Sequence, residues 1–229
     1  MFEAEEVRER GGSYNVSLPE YLCPSDTEAR PADGVMNYLF TEGLRPIVPG
    51  GTPRRGFRQP FGGSRPPIGP SDVADGLSQT AFASERLLEF ETIRGPGLTR
   101  DQVNGFAAVD PRRAMRHTGH PGPLLTDAAT AAACRDASGE FFPIEGPFMV
   151  RWSSPFQYNH VMPPNSVGCY GIAPNLRNRG AIPPTSEHAG GCNVLRGDGS
   201  VSFTSNGIDD VPWMAAATIS GGEIEGSQW

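Results

Sequence analysis

The alternation of apolar and polar residues is clearest towards the C-terminal end of the chain. Val194 and Leu195 precede the pair Asp198-Gly199, and Val201 and Phe203 follow it at period two. An Asp-Gly pair between two such runs predicts a β-hairpin over Cys192–Ser205, with both turn residues accepting positive φ. Upstream, Ala81-Phe82-Ala83 after the Asp75-Gly76 turn begins a strand or a short helix that runs to Leu88. The Ala-rich stretch Thr126–Asp136, with Thr126 or Asp127 as N-cap, is the best helix in the chain. A second, shorter helix is predicted over Asp209–Thr218. It opens on acidic residues, has Pro212 in its first turn and Gly221 beyond its end. Thr99–Met115 has weak helical character, and Pro147–Trp152 is a strand candidate.

Between these elements the pattern fades. Residues 1–15 read as a poorly ordered lead-in, and 16–229 as one domain. Tyr21–Asp26 ends an apolar patch in a proline turn. Pro46–Pro70 lacks periodicity and reads as a long flexible loop. Gln157–Cys169 is a proline-punctuated loop with polar groups at its centre. The chain carries 29 Gly and 23 Pro in 229 residues, which favours turns and short strands over long helices. The expected fold is therefore α+β, mainly antiparallel β and loop-rich.

Charge narrows the list of partners. The formal net charge is −7, and all 19 basic residues are Arg. A nucleic-acid binder needs a basic surface, so none is expected here. The one basic stretch, Arg54–Arg65, reads as a solvated loop rather than an anion-binding arm. No segment approaches the ~18 consecutive apolar residues of a membrane-spanning helix. The opening MFEAEEVRERGG has no apolar run and is not read as a signal peptide.

The four cysteines, Cys23, Cys134, Cys169 and Cys192, contain no CxxC pair, which argues against a zinc ribbon. An even count in a loop-rich chain fits one or two disulfides in any of three connectivities, or buried free thiols.

Further chemistry-bearing residues fall into two groups. Nine residues separate His188 from Asp198, and imidazole and carboxylate are both metal ligands. Those nine residues place Asp198 in a turn and His188 upstream of the first strand. The simpler reading has Asp198 holding positive φ and His188 bonding a backbone carbonyl. Asn159, His160 and Asn165 satisfy loop backbone groups or line a ligand pocket. A hydrolytic or metal constellation of His160, His188, Asp75 and Glu85 would need four separate segments to converge. No P-loop, nucleophile elbow, HExxH or dinucleotide fingerprint is present, so no cofactor and no cofactor-dependent enzyme is expected.

Five elements in order resemble one known family. They are Cys23-Pro24-Ser25-Asp26 followed by Asn37-Tyr38; Asp75-Gly76 with Ser78, Thr80 and Glu85; Tyr158-Asn159-His160 with Pro163-Pro164-Asn165 and Cys169; Ser186 and His188 through Gly190-Gly191, Asn193 and Val194 to Asp198-Gly199-Ser200-Val201; and Gly221-Gly222-Glu223. The chain resembles the large prepilin-like family of unknown function, whose members carry a prepilin-type cleavage and methylation signal and end in a His-nine-residues-Asp-Gly motif. Members begin with a basic leader, a processing site and a long apolar helix. Those features are not seen here, so the expectation is a pilin-like head without its N-terminal helix.

That resemblance implies a non-enzymatic structural or interaction protein, extracytoplasmic or at the cell surface, with partners in a pilus-like or secretion assembly. It also raises calcium, which related pseudopilins bind through C-terminal loop oxygens; Asp198, Asp209 and Asp210 would be the candidates. No EF-hand spacing supports it, and turn and helix-start acids explain them. An extracytoplasmic glycan- or solute-binding module is the alternative, with Trp152, Phe156 and Tyr158 as stacking groups. A metal-dependent hydrolase is third.

Overall fold

A computed structural model describes residues 18–28, 35–41, 43–44, 68–94, 97–118, 127–142, 157–170 and 180–222. The lead-in at 1–15, most of the loop at 46–70 and the strand candidate Pro147–Trp152 lie outside the described residues.

Among the described residues, eight short strands form two sheets. They are β1 (Tyr38–Thr41), β2 (Ala81–Glu85), β3 (Met115–His117), β4 (Phe141–Phe142), β5 (Gln157–Tyr158), β6 (Gly168–Tyr170), β7 (Gly191–Arg196) and β8 (Val201–Ser205). The larger sheet has the order β5-β1-β2-β7-β8, and the smaller β4-β3-β6. Pairing is antiparallel except for β1 with β5 and β3 with β6. Four α-helices accompany them among the described residues: α1 (Phe90–Arg94), α2 (Arg100–Ala107), α3 (Asp127–Arg135) and α4 (Asp210–Ala215). The fold is α+β and mainly antiparallel, as the short, turn-separated apolar runs predict. No helix of the described residues is long and apolar enough to cross a membrane.

Local sequence accounts for these elements. The α2 helix starts at a reciprocal cap: Gln102 N–H donates to Thr99 Oγ1, and Thr99 N–H to Gln102 Oε1. The Ala81 run resolves as a strand. The α3 and α4 helices fall inside the segments 126–136 and 209–218. The hairpin forms with Leu195 opposite Val201 and Asn193 opposite Phe203.

Its turn differs from expectation. Gly199 N–H donates to Arg196 O, Arg196 N–H to Ser200 O, and among the described non-glycine residues Asn165 alone has positive φ. Gly199, at φ +87°, is thus the left-handed residue of a three-residue connection, as in a type I turn closed by a bulge. Asp198 keeps negative φ and accepts bonds from Ser200 N–H and Oγ–H, which lower its pKa. The extra loop residue removes the need for two left-handed positions.

The inner face of the large sheet packs Leu39, Ala81, Tyr158 and Val194 against Trp213 and Ala216. A second cluster, including Val35, Leu88, Ile93, Val103 and Phe141, lies under α1 and α2. A third surrounds the Cys134–Cys169 disulfide, which ties α3 to β6. Cys23 and Cys192 are free and buried. A register shift between Ala81 and Ala83 sends Ala81 to the inner face and pairs Ala83 with Leu195.

Candidate thiol, imidazole and carboxylate site

Three distant segments meet where β2 ends and β7 begins. Glu85 is the last residue of β2. Its Oε2 accepts a bond from Asn193 N–H at 2.8 Å, and its Oε1 from Asn193 Nδ2 at 3.1 Å. His188 lies in the loop that leads into β7, and its Nε2 is 3.0 Å from Glu85 Oε1. Cys23 Sγ lies 4.0 Å from the same oxygen and 3.8 Å from His188 Nε2. Among the described residues these three form the group of metal-capable side chains with ligand atoms within 4.8 Å of one another. Cys23 and Glu85 are buried, while the His188 side chain is 31% exposed. The site is therefore closed on the protein side and open towards solvent at the imidazole.

A surrounding network fixes all three. Cys23 N–H donates to Asn37 Oδ1 at 3.0 Å, and Asn37 Nδ2 donates to Asp26 Oδ2 at 2.8 Å. Asp26 is buried and accepts from Leu88 N–H and, through its other oxygen, from Arg113 at 2.9 Å. Arg113 also binds Glu187 at 2.7 Å, the residue beside His188. Arg112 joins Glu187 and Asp110 and donates to Ser186 O at 2.6 Å. Burial alone would raise the Asp110 pKa; hydrogen bonds and charge from Arg112 outweigh it and hold the carboxyl below its usual range. Behind the loop, Asn165 stands at φ +58° and accepts a bond from Ser186 N–H, while its amide donates to Gly191 O. Gly190 takes φ +86°, and a Cβ on Gly191 would run into Thr204 O, so this pair admits the close return of the loop onto β7.

Tyr38, paired with Glu85 across β1 and β2, lies against the thiol. Burial first, then the proximity of Cys23 and Glu85, raises its pKa.

The other candidate residues named from the sequence sit apart from this group. His160 is fully buried and stacks on Trp213 at 3.7 Å. Its Nδ1–H donates to Trp213 O at 2.8 Å, which leaves Nε2 to accept from the Tyr158 hydroxyl at 3.1 Å. Burial lowers the His160 pKa to about 3 despite the carbonyl partner. Asn159 Oδ1 accepts from Ile182 N–H, and its amide donates to Gly180 O. Asp75 accepts bonds from Thr218 Oγ1, Gly221 N–H and Gly222 N–H, and so ties the C-terminal segment to the Asp75-Gly76 turn. Asp198 is exposed at the hairpin tip. Asp210 pairs with Arg135 at 2.6 Å. The four-segment constellation therefore divides: His188 and Glu85 meet, while His160 and Asp75 make their contacts elsewhere. The partner of His188 is a carboxylate, where the simpler reading of the sequence expects a backbone carbonyl.

Cys23, Asn193, Tyr38 and Glu187 are not recognisable as site residues in the sequence. Cys23 stands out there as a disulfide candidate and a motif residue, with no chemistry attached. The signal that could have found it is its place in the first of the five motifs on which the resemblance rests, others of which hold Glu85 and His188. Cys192, the second free thiol, is pushed up to about 12, chiefly by burial, and is an inert core group.

The sequence matches one family model, that of a protein of unknown function (DUF1559), over residues 2–211. No curated protein and no solved structure matches it. With the match covering nearly the whole length, including every residue of the Cys23, Glu85 and His188 group, this chain belongs to the DUF1559 family.

Proposed function

We propose that the protein is a non-enzymatic structural and interaction module, the globular head of a pseudopilin-like assembly at the cell surface or in secretion. The observation that carries this reading is the outer face of the large sheet. Phe40 is 42% exposed, Val201 64% and Phe203 53%. Strand pairing puts Phe40, Leu195, Val201 and Phe203 on the face opposite Trp213, and Phe82 packs edge-on against Phe40 at 5.2 Å. The strip adjoins β8, which ends the strand order of this sheet among the described residues. An exposed apolar strip beside a sheet edge suits protein contact better than solvent. The disulfide supports an oxidising, extracytoplasmic compartment.

The motif residues favour the same reading. Asn159, His160, Asn165 and Asp75 all bond within the fold, as joints between loops do. The solute-binding alternative asks Tyr158 to stack on a ligand, but Tyr158 is fully buried; Trp152 and Phe156 lie outside the described residues.

A photo-crosslinking residue at Phe203, introduced in the producing cells, tests the proposal. The expected adduct, identified by mass spectrometry, joins this chain to a second copy or to a pilin-like subunit. The same probe at exposed Asp101 gives no adduct. Equal yields at both positions, or no protein adduct at Phe203, would overturn the reading.

A further inference from the structure

We propose that Cys23 Sγ, Glu85 Oε1 and His188 Nε2 form a three-ligand site for a borderline-soft divalent transition metal of the zinc type, with its fourth position open to solvent. The assembly reading above does not require such a site.

The donor set comes first. Thiolate, imidazole and carboxylate are the three donors that zinc uses, and their mixture discriminates against calcium and magnesium, which take oxygen alone. Spacing comes second. Zinc bonds of about 2.3 Å to sulfur and about 2.0–2.1 Å to nitrogen and oxygen, at tetrahedral angles, set the ligand atoms about 3.4–3.6 Å apart. The three atoms here stand 3.0, 3.8 and 4.0 Å apart. Each pair needs to move by about half an ångström or less to meet the ideal. Small side-chain rotations supply that without backbone change.

Preorganisation comes third. The two Asn193 donors hold the Glu85 carboxylate. Asn37 holds the Cys23 backbone, and Ser186 Oγ accepts from His188 N–H. Such outer partners orient metal ligands and tune their affinity. Charge balance comes fourth. Binding replaces the thiol proton, released to solvent, with a metal–sulfur bond. A dication then faces one thiolate and one carboxylate, so the filled site is neutral. With Cys23 and Glu85 buried, that balance matters more than it would at the surface. Solvent access on one side settles the type of site. Three protein ligands with access beside His188 make an exchangeable site, unlike the closed four-ligand sites of structural zinc.

The test uses the purified chain, stripped with chelator in buffer free of thiol reductant and titrated with Co²⁺. The expected result is one equivalent bound, with a thiolate-to-cobalt charge-transfer band and tetrahedral visible bands, both displaced by Zn²⁺. Cys23→Ser abolishes the charge-transfer band, and Cys192→Ser leaves it intact. Asn193→Ala, which removes a positioning residue, weakens Co²⁺ binding by about 10–100-fold. A wild-type chain with no charge-transfer band overturns the proposal, as does a band that survives Cys23→Ser or disappears in Cys192→Ser. Should Cys23→Ser fail to fold, alkylation of the wild-type chain decides. Zn²⁺ then slows modification of Cys23, mapped by mass spectrometry, and an unchanged rate overturns the proposal.

Discussion

His160 and His188 are the same residue type, yet their surroundings make them different chemical objects. His160 lies on the inner side of the large sheet with no exposure, stacked on Trp213 and bonded through both nitrogens. Every polar atom of that ring has a fixed neutral partner, so the imidazole works as a core side chain with two specific bonds. His188 lies at the end of the sheet, with its Nε2 facing a carboxylate and a thiol and part of its surface in water. Position in a motif does not separate a structural histidine from a chemical one. The number and kind of groups around the ring, and its access to solvent, do.

The largest effect is expected from removing the platform under His160. Trp213→Ala deletes the stacking partner and the Nε1–H bond to Met162 O. It should destabilise the fold by about 3–5 kcal/mol, read as a fall in the urea midpoint at constant slope.

On the His188 side, the comparable change is Asp26→Ala. It leaves Arg113 buried with one carboxylate fewer and removes one of the two acceptors of the Asn37 amide that supports Cys23. A loss of about 3 kcal/mol is expected in the same assay, because breaking a buried pair strands its partner. A loss well under about 1 kcal/mol would mean that Glu187 and Asp110 suffice for Arg113.

A pH series then separates the two histidines. The folded-state pKa of His160, about 3, lies below the ordinary value of 6.5. Above pH 6.5 both folded and unfolded states hold it neutral, and its full contribution is present. As pH falls below 6.5 the unfolded state gains the proton first, so stability declines until the folded pKa is reached. Between about pH 6.5 and 4.5 the loss should be about 2–3 kcal/mol. That window lies above the usual carboxylate range. His160→Gln should flatten the decline, and an equally steep decline in that variant would assign it to another group.

The smallest effect concerns the hairpin. Gly199→Ala meets open space at Cβ but keeps φ at +87°, so it should cost about 1–2 kcal/mol through backbone strain alone. Co²⁺ affinity should not change, since the turn does not touch the Cys23, Glu85 and His188 group. A parallel loss of metal binding would tie the Asp198-Gly199 tip to the His188 site, which the geometry does not.

Much of the fold is legible from local pattern. The hairpin, the Ala-rich helix and the short C-terminal helix are readable because each depends on neighbours within a few residues. The hairpin's turn type is less so. Two-residue and three-residue connections share the Asp-Gly signal, and cross-strand register chooses between them. Candidate residues are also identifiable by type, with His188 and Glu85 among them. Their grouping is not. Cys23 is 62 residues from Glu85 and 165 from His188, and no spacing rule relates side chains brought together by strand pairing at such separations.

Local pattern along the chain fixes the elements and the apolar alternation that forms the sheet, and the whole-length match fixes the family. The tertiary structure decided the rest. It paired Cys134 with Cys169 and left Cys23 and Cys192 free, buried His160 against Trp213, and set His188 beside Glu85 and Cys23. The physical reason is the range of the forces. Propensity and turn geometry act along a few residues of chain. Burial, charge pairing and ligand geometry depend on distances in space that exist only once the sheet has closed around its core.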